Sequence, residues 1–117
     1  MKYLLLCCFD EQKWNSLPQS QRDTIMDRYG RFIQQLKASG QLLGGAKLDA
    51  CASAVSVRER NGKSLVLDGP FAETKEHLGG YHLIECQDRD EAVSIARQIP
   101  TLADGGVVEV RPVLWNE

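Results

Sequence analysis

Hydrophobic and polar positions follow two periods along the chain, and each switch between them marks an element. Tyr3-Leu4-Leu5-Leu6-Cys7-Cys8 is an almost unbroken apolar run, which predicts a strand over 2–8 covered on both faces and so central in its sheet. Residues 9–16 leave it as a polar connection. Ile25, Met26, Tyr29, Phe32, Ile33 and Leu36 then recur at helical spacing on one face. Pro18 suits the first turn, where its missing N–H costs nothing, and Gly40 after Ser39 is a stop, so a helix is predicted over 18–39. Gly30 interrupts it, although glycine there costs about 1 kcal/mol relative to alanine. Close packing against the sheet is the preferred reading. The alternative is room for a ligand, with the Tyr29 hydroxyl as its polar handle.

A short strand is predicted over 41–46, where Gly44-Gly45 signals a bulge or a close backbone approach at a pocket rim. Strands over 54–59 and 64–67 flank Asn61-Gly62, the signal of a type I′ hairpin turn. That turn fixes the register: Arg60 faces Lys63, Arg58 faces Leu65, Val57 faces Val66 and Val55 faces Asp68. Asp68 therefore continues the Val57/Val66 face. With that face buried, a carboxylate reaches the edge of the core, where it must find donors or take a raised pKa. Leu65 and Leu67, opposite Ser56 and Arg58, leave apolar surface for a second subunit.

The next strand, over 80–86, puts Tyr81, Leu83 and Glu85 on one face and His82, Ile84 and Cys86 on the other. Asp88 and Glu91 form a helix start, with Glu91 reaching back to the cap. Ala92, Val93, Ala96 and Ile99 give the buried stripe, Pro100 ends it, and a β-branched strand over 106–113 follows. The order is strand, helix, strand, hairpin, strand, helix, strand. It predicts an α+β, two-layer sandwich of the split βαβ kind, both helices on one face of an antiparallel sheet, with an inserted β-hairpin. The other face is left bare, so a homodimer with sheets facing is expected.

Composition narrows the function. A chain of 117 residues, 43% hydrophobic, makes one domain. Its 14 basic residues are scattered among 16 acidic ones for a net charge of -2, which offers no footprint for nucleic acid or an anionic membrane. The opening apolar run is too short for a span and lacks a cleavage pattern, so a cytoplasmic protein is expected. Cys7, Cys8, Cys51 and Cys86 form no C-x-x-C pair and have no metal spacing with His77 or His82. They read as buried inert thiols, and Cys7 and Cys8, pointing to opposite strand faces, cannot share a site. No metal and no cofactor are expected. Phosphate-loop, dinucleotide and serine-nucleophile motifs are absent.

The chemistry gathers around Asp68-Gly69-Pro70-Phe71-Ala72-Glu73-Thr74-Lys75-Glu76-His77. Asp68 is the leading catalytic candidate, a general acid or base if desolvated, against a turn-capping role. Phe71, Glu73, Thr74 and Lys75, with Tyr29 and Tyr81, bound the predicted ligand pocket. His77 is expected in solvent, and His82 as a satisfied core histidine. From Asp68-Gly69-Pro70-Phe71 through Leu78-Gly79-Gly80-Tyr81, with Leu42-Leu43-Gly44-Gly45 and Val108-Glu109-Val110-Arg111-Pro112-Val113, the chain resembles the DGPF-domain proteins of the YCII-related family. The resemblance covers essentially the whole chain. It implies a ferredoxin-like fold of the dimeric α+β barrel type and a small bacterial cytoplasmic protein, in a family of unsettled activity often associated with extracytoplasmic-function sigma factors. The wider family carries a His/Asp pair read as catalytic. Alignment on Gly40 places Tyr29 at that histidine and Ile99 near that aspartate, so the family activity does not carry over. The expectation is a dimeric small-molecule-binding protein or an enzyme of proton transfer or hydrolysis; the alternative is a non-catalytic partner of another protein, such as a sigma factor.

Overall fold

The computed structural model describes residues 1–72 and 74–115. The central apolar run is β1 (Lys2–Phe9), between β5 (His77–Glu85) and β6 (Val107–Pro112), with β2 (Leu42–Lys47) outside β5. The order β2-β5-β1-β6 is antiparallel throughout. Tyr3, Leu5 and Cys7 are buried on one face, while Leu4, Leu6 and Cys8 are half-buried on the other.

Two helices cover the first face. α2 (Gln19–Ala38) buries Ile25, Phe32 and Leu36, and α3 (Arg89–Ala96) buries Ala92, Ile95 and Ala96. Phe32, Leu36, Ala92 and Ile95 meet Tyr3, Leu5 and Ile84 in one core. Setting the hairpin aside, the strand order and the two helices on one face make the ferredoxin-like sandwich. The Asp88 carboxylate accepts from the Glu91 N–H at 2.9 Å, capping α3 as predicted. Glu91 reaches back one residue further than expected, accepting from the Gln87 N–H at 3.2 Å, and it also accepts from the Gln41 side chain at 2.9 Å. That second bond ties α3 to the start of β2. No helix among the described residues is long and apolar enough to cross a membrane.

Three local readings change. Residues expected as a plain connection contain α1 (Glu11–Ser16), capped by Asp10, whose carboxylate accepts from the Gln12 and Lys13 N–H groups at 3.0 and 3.2 Å. Six residues are too few to declare a period. β5 starts at His77, so Gly79-Gly80 lies inside a strand. A Cβ on Gly79 would strike the Phe9 ring, and one on Gly80 would lie 2.9 Å from the Ala46 carbonyl oxygen; these glycines make room for neighbours. Gly30 does the opposite of what was expected: a Cβ there would meet nothing within 4 Å, so it is not packed against the sheet.

β3 (Val55–Arg60) and β4 (Lys63–Asp68) pair in the predicted register, Val57 opposite Val66 and Val55 opposite Asp68. Asn61 and Gly62 have φ of 53° and 75°, both positive as a type I′ turn requires. The hairpin is nevertheless a separate two-stranded sheet. Its valine face is open, with Val57 69% and Val66 65% exposed, and Asp68 is exposed with it. Register was set by the turn alone. Burial needed a covering layer, and neither helix extends over these strands.

Candidate functional site

Where β1, β2 and β5 run under α2, the side-chain-free Gly79 and Gly80 help to leave a cavity of about 210 Å3. Its walls are mostly apolar, from Phe9, Trp14 and Met26 with the Cys7 and Cys8 thiols; Tyr29, Lys47 and Thr101 add polar atoms. The missed helix α1 matters here. It returns the chain so that Trp14 meets Phe9 edge to face, their centroids 6.3 Å apart.

Tyr29, in the middle of α2, reaches across to β5. Its hydroxyl lies 2.5 Å from His82 Nε2 and 3.6 Å from Cys7 Sγ. Burial pushes the Tyr29 phenol far above its ordinary range and raises the Cys7 thiol, while it lowers His82. All three groups are therefore neutral near pH 7. A neutral phenol has one hydrogen to give, and the nearer acceptor is the imidazole, so the hydrogen order is Cys7 S–H to Tyr29 oxygen and Tyr29 O–H to His82 Nε2. The imidazole proton then sits on Nδ1, the nitrogen that a Cβ on Gly45 would approach to 3.0 Å. His82 also lines a second groove with Ile33, Lys37, Leu42 and Gly45, so the Tyr29–His82 bond joins the walls of two hollows.

Of the described residues predicted for the site, Tyr29 alone lines the cavity. Asp68 is exposed on the hairpin, and among the described residues its carboxylate accepts no hydrogen bond, so neither a buried acid–base role nor turn capping holds. Phe71 is 79% exposed. Thr74 and Lys75 are exposed as well, with the Thr74 hydroxyl accepting from the Glu76 N–H at 3.2 Å. Glu73 lies outside the described residues. Tyr81 pairs with Leu6 on the helix-free face and does not line the cavity. Phe71, Thr74 and Lys75 thus stand outside the cavity, as Asp68 does.

Other residues take their place. Cys7 and Cys8, expected to be unable to share a site, both line the cavity, at the point where the pairing of β1 with β5 passes from Cys7 opposite Gly80 to Cys8 opposite Leu78 and leaves Gly79 as the extra residue. His82 is buried and hydrogen-bonded, as expected of a core histidine. Strand alternation in the sequence already set it on the helix-facing side; what the sequence lacked was its pairing with Tyr29, 53 residues away. His77, expected in solvent, is half-buried at the start of β5. There it meets Glu11 and Cys51, the ligand atoms of the three lying within 4.8 Å of one another. Linear spacing could not disclose a grouping drawn from three separate segments.

The chain is 34% identical over 114 residues to an uncharacterized protein of Rhizobium meliloti (strain 1021), covering 97% of this chain and 92% of that protein. Among solved structures it is similar to 5-chloro-2-hydroxyhydroquinone dehydrochlorinase (TftG) of Burkholderia phenoliruptrix, in complex with 2,5-dihydroxybenzoquinone. That match has 16% identity and a TM-score of 0.51, covers 97% of this chain and 93% of the other, and shows the shared fold. The family model of the YCII-related domain matches residues 1–116. By that match over nearly its full length, the chain belongs to the YCII-related domain family.

Proposed function

We propose that this protein binds a small, ring-sized, hydroxylated molecule in the cavity under α2 and moves a proton from it through Tyr29 and His82. The observation that carries the reading is the 2.5 Å Tyr29–His82 hydrogen bond in the wall of an apolar cavity of about 210 Å3. The size is apt: a dry cavity of roughly 150 Å3 accepts benzene. Phe9 and Trp14 give flat apolar walls, and Tyr29, Lys47 and Thr101 supply the few polar atoms that orient a ligand. In the reaction, the Tyr29 oxygen takes a substrate hydroxyl proton as its own proton passes to His82 Nε2. A phenolate forms in the cavity and an imidazolium at its edge. Burial keeps His82 neutral and so free to accept, and Lys47 offsets the new negative charge. The similar dehydrochlorinase was captured with a dihydroxylated quinone, which agrees with the ligand class.

Trp14 in the cavity wall provides the test, because Trp115 is 72% exposed and reports little from the site. Titration with 2,5-dihydroxybenzoquinone and with simple hydroquinones should quench Trp14, and Trp14→Phe should abolish the signal. Tyr29→Phe should weaken binding of hydroxylated rings by about tenfold, the loss of one hydrogen bond, and leave the unsubstituted ring unaffected. Failure of every such ring to perturb Trp14 would remove the reading.

A homodimer through the helix-free sheet face also belongs to this proposal, supported by the half-buried Leu4, Leu6 and Leu83 there. One feature favours a second reading, a non-catalytic partner protein such as a sigma factor bound along the hairpin: its valine face is exposed, and Arg58 and Arg60 stand exposed on the other face of the same strand. Charge reversal at Arg58 and Arg60 that abolished capture of a purified sigma factor, with folding intact, would support it.

A further inference from the structure

Glu11 opens α1, Cys51 begins a 3-10 turn (Cys51–Ser53) between β2 and β3, and His77 opens β5. These segments meet at one corner, where Phe9 of β1 pairs with His77. His77 Nδ1 is buried, has no hydrogen-bond partner among the described residues, and faces Glu11 Oε1 at 3.7 Å. That separation is too long for a hydrogen bond. We propose that Glu11, Cys51 and His77 form a binding site for a divalent cation of the zinc class, through one carboxylate oxygen, the thiolate and His77 Nδ1, with the fourth position open to solvent or ligand.

The distances fit that reading. Around a tetrahedral zinc, bonds of about 2.0–2.2 Å to nitrogen and oxygen and about 2.3 Å to sulfur set ligand atoms roughly 3.4–3.6 Å apart. The 3.7 Å between nitrogen and oxygen is already close to this value. The ligand atoms all lie within 4.8 Å of one another, so closing on a tetrahedral ion needs shifts of on the order of 1 Å at most. The donor set selects the metal: thiolate and imidazole suit zinc and disfavour magnesium and calcium, which take oxygen. Charge balances too, since a thiolate and a carboxylate neutralise a divalent ion. The carboxylate is already aimed, because Glu11 Oε1 accepts from the Cys51 N–H at 2.9 Å. Such outer support fixes ligand geometry. Without a cation, burial and the adjacent Glu11 raise the Cys51 thiol; on binding, its proton leaves to solvent as the Zn–S bond forms. The site is distinct from the Tyr29–His82 pair and stands or falls independently of the cavity's ligand.

The full chain, stripped with a chelator, should take up one Zn2+ per chain in competition with a chromophoric chelator. Co2+ in its place should give a thiolate-to-cobalt charge-transfer band. Cys51→Ser should erase the band, and Glu11→Gln and His77→Gln should each weaken Zn2+ binding by at least about tenfold. Circular dichroism verifies that each variant folds. If Cys51→Ser does not fold, peptide-mapped alkylation of the wild type decides: protection of Cys51 by Zn2+ supports the site, and its absence overturns it. A wild-type Co2+ spectrum without the thiolate band, or a band that survives in folded Cys51→Ser, also overturns it.

Discussion

At the scale of single residues, the site depends on what is left out as much as on what is present. Gly44 and Gly45 are neighbours in β2 with opposite demands. A Cβ on Gly45 would sit 2.6 Å from the Tyr81 carbonyl oxygen and 3.0 Å from His82 Nδ1, whereas one on Gly44 would meet nothing within 4 Å. Gly45→Ala should therefore destabilise the fold by about 1–3 kcal/mol and disturb the His82 ring, while Gly44→Ala leaves the denaturation midpoint nearly unchanged. Equal effects in urea unfolding would show that the close approach is not what fixes His82. His82 also gives stability a pH dependence of known sign. Burial lowers its pKa below the ordinary 6.5, so in acid the unfolded chain takes up a proton that the folded chain refuses. Its part of the stability is whole above pH 6.5, falls as pH drops through the histidine range, and stops falling once the folded imidazole is protonated. Thermal melts from pH 7.5 to 5 should decline less steeply in His82→Gln than in the wild type. Parallel curves would mean that His82 is solvated.

At the scale of elements, the hairpin and the central sheet differ in what holds them. β1 is bonded on both sides and covered by two helices, but β3 and β4 pair with each other alone. An isolated two-stranded hairpin is marginal in water. Amides of β3 and β4 should exchange with solvent far faster than those of β1 and β5, and Gly62→Ala, at a φ of 75°, should quicken the hairpin while leaving the main melting transition in place. Exchange measured residue by residue would test both, and uniform protection across the two sheets would contradict them. The contrast also explains what could be read from sequence. Periodicity over twenty residues of α2, the Asp88 cap and the Asn61-Gly62 turn are local signals: α2 lies within a residue of its expected bounds and the turn where expected, while α3 starts at its cap but stops at Ala96, short of the Ile99 expected in its stripe, and buries Ile95 rather than Val93. Asp68 was placed correctly in register and wrongly in environment, because burial depends on which other element arrives above it. Tyr29 was legible as a polar atom on an apolar helix face. Its bond to His82, the cavity that Cys7 and Cys8 both line, and the meeting of Glu11, Cys51 and His77 are products of packing between distant segments.

At the scale of the whole molecule, too much surface is left over. The chain exposes 8319 Å2, where a compact monomer of its mass shows roughly 6,400 Å2. Its radius of gyration is 16.1 Å, against about 13 Å for a compact chain of this length. The excess has two sources, the projecting hairpin and the helix-free sheet face carrying Leu4, Leu6 and Leu83. A standard interface buries about 800 Å2 from each partner, well within the surplus. Two copies with these faces together would cover apolar side chains that no element of the single chain reaches, and would give each hairpin a neighbour to lie against. Sedimentation of the wild type should therefore report a dimer. Leu6→Glu, placed between Tyr81 and Glu109 on that face, should dissociate it, since a buried carboxylate beside a like charge has no partner to offset desolvation. The monomer so formed should still fold, because Leu6 does not belong to the buried core. A wild type that sediments as a monomer at high micromolar concentration would leave the bare sheet face without this explanation; a Leu6→Glu chain that stays dimeric would move the interface to the valines of the hairpin.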